Sequence, residues 1–266
     1  MLTDLLEKIN QTHFQREQSK SMKPTNTAKS QNALERLDVA TCTDLFQVHL
    51  HQQRYDLTLD HIQPKDEVLE VGTGLGVFSE TLSKKSELYR GIEYDEVTCN
   101  AAKLRVANPD WISLGDAQAM EAESNSFDVI VCLEVLEHLP DYRKALDEFV
   151  RVLRPSGKLI ASIPYVEVGA PSKINSHHLY EPGELEFKNE LNQRFNDVRF
   201  LYQRYSETEY ETWARKLRLR RLLGLDKQYA RVSQGDPAEM KKVLLDESRA
   251  GMLLGLFAVA SKPNHR

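Results

Sequence analysis

The chain has 266 residues, enough to bury a full core, and its 41% hydrophobic and 28% charged content is that of an ordinary globular protein. Its formal net charge of -5 gives it no general attraction to nucleic acid or to an anionic membrane. Cys42, Cys99 and Cys132 form neither a disulfide framework nor a CxxC metal pair, the first ten residues carry Asp4 and do not read as a signal peptide, and the apolar stretch 252–260 is too short to span a bilayer; a reducing cytoplasm is the expected setting.

Residues 1–35 read as an appendage. Leu2, Leu5, Leu6 and Ile9 make a short amphipathic start, and the polar stretch 15–31, rich in Ser, Lys and Gln, reads as a flexible linker. The remainder, 36–266, is expected to form one domain. A helix is expected from about Leu45 to Ile62, with Tyr55, Leu59 and Ile62 on one face and Pro64 ending it. From Glu67 strands and helices alternate. Strands are expected at 67–71, 89–93, 111–114, 128–133 and 158–163. Between them fall helix-period sets: Leu75, Phe78 and Leu82; Val97, Ala101 and Leu104; Leu146, Phe149, Val150 and Leu153. This alternation implies an α/β fold with a parallel sheet and right-handed crossovers. Two more strands are expected at 198–203 and 253–260, with a charged helical insertion at about 205–250 between them.

The most informative segment is VLEVGTGLG (68–76), a strand running into a glycine turn and then a helix. In a doubly wound sheet such a turn lies at the carboxyl end of the first strand, where ligands bind. A plain connecting turn is the alternative for the glycines taken alone. A dinucleotide fingerprint wants glycine at the sixth position of GxGxxG, where Val77 stands here. Glu70, two places before Gly72, would repel a pyrophosphate and suits a ligand with an amino group and a sulfonium. S-adenosylmethionine has both and no phosphate. Glu93, at the end of the second strand and about 20 residues on, can accept both ribose hydroxyls. Asp95 reads as the cap of the helix that follows. Asp116, in Gly115-Asp116-Ala117, can accept an adenine amino group or simply make a turn.

The ordered series VLEVGTGLG, GIEYD (91–95), GDA (115–117), FDVIVCLEVLEHL (127–139) and RVLRPSGKLIASIP (151–164) resembles the class I S-adenosylmethionine-dependent methyltransferase family. The resemblance covers about 100 residues. It implies a Rossmann-like, seven-stranded, mostly parallel sheet with helices on both faces and an antiparallel last strand. It also implies that S-adenosyl-L-methionine lies among Glu70, Gly72, Gly74, Glu93, Asp116, Leu133 and Glu134, with Thr73, Gly76, Tyr94 and Ala117 beside them. A narrower similarity, to a bacterial subgroup linked to glycan and small-molecule pathways, rests on His49, Arg54 and Tyr55, on NSHHLYE (175–181) and on FNDVRFLYQR (195–204). Ser176, His177 and Tyr202 depart from that pattern.

Methyl transfer from a sulfonium is an in-line displacement that needs chiefly alignment, and a base only where the acceptor must lose a proton. His138, His177 and His178 are the candidate bases, each with a loop-fixing hydrogen bond as the alternative. No metal site is expected, since adjacent histidines alone do not make one. Arg215, Lys216, Arg218, Arg220 and Arg221, near Trp213, could face RNA or be a solvated helix face balanced by Glu207, Glu209 and Glu211. A second inserted helix is expected from Asp236, Pro237 and Glu239, with Met240, Val243 and Leu244 as its apolar side. Together the two helices would form a lid, an acceptor platform or a homodimer contact. The expected activity is methylation of a small-molecule or glycan acceptor, at oxygen. Its rivals are an RNA-modifying enzyme using 215–221 and a non-catalytic S-adenosylmethionine-binding protein; the charge balance disfavours nucleic acid as a partner.

Overall fold

The computed structural model describes residues 42, 44–172, 175–206 and 241–265. The expected appendage 1–35, the basic run 215–221 and the helix start at Asp236 lie outside them. Five helices are described: α1 (Leu45–Leu59), α2 (Ser79–Lys85), α3 (Glu96–Arg105), α4 (Tyr142–Val152) and α5 (Glu184–Arg194). Eight strands are described: β1 (Glu67–Val71), β2 (Leu88–Glu93), β3 (Ile112–Leu114), β4 (Phe127–Leu133), β5 (Leu153–Pro164), β6 (Phe195–Tyr205), β7 (Val243–Asp246) and β8 (Met252–Pro263).

They form one sheet in the order β3-β2-β1-β4-β5-β8-β6-β7. Strands β3, β2, β1, β4 and β5 run parallel, and β8 returns antiparallel between β5 and β6. The seven expected strands and the antiparallel last one are present. The eighth, β7, is a correction. Val243 and Leu244, expected on the apolar side of a helix, pair instead with Tyr205 and Arg204 at the sheet edge. Helical spacing over so short a run cannot be told from a strand with one buried face, and the unpaired edge of β6 decides the matter.

Side chains alternate across the sheet because strand residues point to opposite faces. Leu69, Val71, Ile130 and Cys132 pack with Leu146 and Phe149 of α4 and Phe187 and Leu191 of α5. Val68, Val129 and Val131 pack with Tyr55 of α1, Leu82 of α2 and Cys99 and Ala102 of α3. Helices therefore cover both faces. Asp44, Asp95 and Asp141 cap α1, α3 and α4, each accepting a backbone N–H of the first turn.

The apolar face of α3 differs from the expected one. Val97 is 61% and Leu104 90% exposed, while Thr98, Cys99 and Ala102 face the sheet. The helix lies so close to the glycine turn that a Cβ on Gly76 would sit 3.2 Å from that of Ala102. Only small side chains fit in that contact. Likewise Leu75 and Phe78 precede α2, which begins at Ser79.

Candidate functional site

The carboxyl ends of β1, β2, β3 and β4 meet at the glycine turn. The N–H groups of Gly72 and Thr73 donate to the carbonyl of Ile92 (2.8 and 3.2 Å), tying the turn to the end of β2. Gly72 has φ +74° and a Cβ there would lie 2.5 Å from Val135 Cγ2, so its size and its conformation are both fixed by packing. Gly74 has φ +54°, and a Cβ on it would meet nothing within 4 Å. That open space is where a ligand can press against the backbone.

Two groups border it. The buried carboxylate of Glu93 accepts the N–H of Gly74 at 2.9 Å and that of Asp95 at 3.1 Å. A carboxylate offers about four acceptor positions, the kind of group that receives ribose hydroxyls. Thr73 is 6% exposed and its Oγ1 is buried without a hydrogen-bond partner. A buried hydroxyl left unpaired costs free energy, which a polar ligand group would recover. Next to Glu93, the N–H of Gly115 donates to its backbone carbonyl at 3.0 Å, bringing the Asp116 turn alongside. Asp116 Oδ1 accepts from Gln118 N at 2.8 Å, so the turn reading of that residue holds locally. Ala117 is buried in the core, and Tyr94 is 74% exposed.

Glu70 is a correction. It does not lie at the mouth of the turn but is 1% exposed beneath it. Its carboxylate accepts the hydroxyls of Tyr55 and Ser79, each at 2.7 Å, and that of Tyr89. Burial pushes its pKa up, against the pull of these three donors. Glu70 therefore pins α1, α2 and β2 to the strand that carries the turn.

At the end of β4, Leu133 is buried and Glu134 has φ +56°, a left-handed conformation that costs a non-glycine residue free energy. Contacts on both carboxylate oxygens hold it there. Ser162 Oγ donates to Oε1 at 2.7 Å, and Arg54 Nη2 lies 3.2 Å from Oε2. Arg54 is 4% exposed.

The three histidines come to one place. His138 lies on a 3-10 turn, Leu136–His138, and its Nδ1 donates to the carbonyl of His177 at 3.1 Å. His178 Nδ1 lies 2.7 Å from Glu181 Oε1. The rings of His138 and His178 stand edge to face, 4.8 Å apart. His177 enters this arrangement through its carbonyl. Leu179 N donates to the Glu137 carbonyl at 2.9 Å, sealing the loop onto the turn. Sequence reasoning gave no role to Arg54, Glu137, Ser162 or Glu181. Arg54 and Glu181 entered only as members of the motifs that carry the narrower similarity, and Glu137 only as the neighbour of His138. A surface depression lined by His61, Pro155, Lys158 and Ser261 lies at the other end of the sheet.

Residues 69–161 match the family model described as "Methyltransferase domain". Among curated proteins, a ubiquinone biosynthesis O-methyltransferase of Hahella chejuensis is 33% identical over 103 residues, 37% of this chain and 43% of that protein. One of Coxiella burnetii is 31% identical over 99 residues, 36% of this chain and 42% of that protein. The chain thus spans well under half the length of these relatives. Among solved structures, a SAM-dependent methyltransferase of Thermotoga maritima is 15% identical with a TM-score of 0.55, covering 82% of this chain and 91% of that one. Phosphoethanolamine N-methyltransferase 2 of Haemonchus contortus, solved with S-adenosyl-L-methionine, is 20% identical with a TM-score of 0.53, covering 80% of this chain and 53% of that one. The last two likenesses speak to the fold. The matched segment, which holds the glycine turn, Glu93, Asp116 and Glu134, is thus similar to the methyltransferase-domain family.

Proposed function

We propose that the chain transfers a methyl group from S-adenosyl-L-methionine to a hydroxyl oxygen of a small-molecule acceptor. The observation that carries this reading is the open space over Gly74, bordered by the unpaired Thr73 hydroxyl and the buried Glu93 carboxylate. The cofactor, when bound, supplies a methyl already activated by its sulfonium, so the protein's work is to align the acceptor and manage its proton. Glu93 would take the ribose hydroxyls, Asp116 and the turn to Ala117 the adenine edge, and Thr73 and Gly74 the amino-acid portion. Leu133 and Glu134 would wall the cofactor on the β4 side.

Oxygen as the accepting atom is supported by the names of the curated relatives and by the histidine pair. A hydroxyl must lose its proton as its oxygen attacks. In the simplest form of the mechanism His178 Nε2 receives it, while Glu181 on Nδ1 orients the ring and steadies the resulting imidazolium. No helix among the described residues is long and apolar enough to cross a membrane. A cytoplasmic enzyme acting on a diffusible acceptor is consistent with that, and a glycan hydroxyl would serve the same chemistry.

Calorimetry with S-adenosylmethionine, S-adenosylhomocysteine and NAD tests the cofactor, with binding expected for the first two alone. Tight binding of NAD in their place would end the methyltransferase reading. For the acceptor end, His178→Ala should keep cofactor affinity and lose on the order of 10²–10⁴ in kcat. A loop-fixing role would instead raise the acceptor KM and leave kcat nearly unchanged.

A further inference from the structure

Glu137 is 0% exposed, and neither of its carboxylate oxygens receives a hydrogen bond from another residue. Buried carboxylates are ordinarily paired, hydrogen-bonded or bound to a metal, because desolvating the charge is costly. Around this one stand two imidazoles. One ligand atom each from Glu137, His138 and His178 lie within 4.8 Å of one another. With bonds of about 2.0–2.2 Å, donors on one side of a tetrahedral ion lie roughly 3.3–3.6 Å apart, so the widest pair must close by about an ångström as the ion enters.

The histidines are set for the task by their other nitrogens. His138 Nδ1 faces a backbone carbonyl and must carry the proton there. His178 Nδ1 faces the Glu181 carboxylate and carries one as well. In the neutral ring the lone pair is then on Nε2. A carbonyl or carboxylate on the far nitrogen is the usual outer support of a metal-binding histidine, fixing its tautomer and raising its basicity. The backbone contributes too: the Leu179 and Tyr180 N–H groups both donate to the Glu137 carbonyl, so the loop bearing His178 is clamped to the turn bearing the other two donors. Arg54, a nearby cation, is already held by Glu134.

We propose that Glu137, His138 and His178 bind one divalent first-row cation of the manganese-to-zinc series, and that this ion holds the acceptor oxygen. Two imidazoles and one carboxylate on one side of an ion are a donor set for such metals and leave positions open for a ligand. In sequence His138 and His178 are 40 residues apart, and the set is visible only once the loop has closed on the turn. The inference rests on the O-methyl transfer reading and changes its proton step. A hydroxyl bound to the cation ionises at lower pH, its proton passing to solvent water. The oxygen then bonds the methyl carbon as the carbon–sulfur bond breaks, and that electron pair stays on sulfur.

The test uses the full chain stripped with EDTA and Mn²⁺ alone as probe, followed by the loss of the free-ion electron paramagnetic resonance signal. One ion per chain is expected, displaced by Zn²⁺. Glu137→Gln and His178→Ala should each weaken it by about tenfold or more, with S-adenosylmethionine affinity unchanged by calorimetry and folding checked by thermal melts. Should Glu137→Gln fail to fold, His138→Ala and His178→Ala carry the comparison. Cofactor binding without any Mn²⁺ or Zn²⁺ binding would overturn the metal site and leave the methyltransferase reading standing, as would ion binding undiminished in the folded variants. Ion binding without cofactor binding would do the reverse.

Discussion

Gly72 and Gly74 stand two residues apart and should fail in different ways. Gly72→Ala meets Val135 at 2.5 Å from a left-handed backbone, so it should cost about 2–4 kcal/mol in urea denaturation. Gly74→Ala meets no neighbour and should cost only the left-handed penalty of about 1–2 kcal/mol. Its methyl nevertheless enters the space assigned to the cofactor, so S-adenosylmethionine affinity should fall by more than its stability does. Undiminished affinity in Gly74→Ala would show that no ligand presses there. Glu93→Ala should lower affinity by about tenfold or more, since hydrogen bonds to a charged group contribute roughly 1.5–3 kcal/mol each. These positions were legible because the constraints on a strand–glycine–helix turn are local. The burial of Glu70 was not legible because the hydroxyls that hold its carboxylate are not local: Tyr55, Ser79 and Tyr89 arrive from three other elements. Glu137 was passed over for the same reason, since its partners are set by a loop closing from beyond β5.

The elements themselves were legible where one face is continuously apolar, as in α4, whose Leu146 and Phe149 are buried as expected. In α3 the large residues gave a false face. A helix packed against a glycine turn must present small side chains, and Thr98, Cys99 and Ala102 carry little hydrophobic signal. The docking face of α1 was legible in part: Tyr55 is buried as expected, but the face also includes a charge. Arg54 is held against Glu134, with side-chain exposures of 5% and 18%. Removing one member of such a pair strands the other, so Arg54→Met should destabilise the fold by about 3–5 kcal/mol. In a double-mutant cycle with Glu134→Gln most of that loss should be recovered. A cost equal to the sum of the two single changes would mean that the pair does not hold α1 to the sheet.

Taken whole, the molecule should be acid-labile at a definable pH. Arg151 beside Glu148 and Arg204 beside Asp246 hold those carboxyls below the usual carboxylate range. A carboxyl with a lowered folded pKa stabilises the fold above its unfolded value near 4 and loses that contribution as pH falls through the folded value. The melting temperature should therefore drop below about pH 4, and Glu148→Gln should narrow the drop while lowering stability at neutral pH. The sheet order carries a different consequence. β6 reaches the parallel strands only through β8, which pairs with β5 from Lys158 to Pro164 on one side and with β6 from Phe195 to Tyr205 on the other. During synthesis on the ribosome β5 and β6 emerge well before β8, so both wait with an unpaired edge. A nascent chain arrested before Met252 should accordingly recruit holding chaperones, and release from them should coincide with the appearance of that last strand.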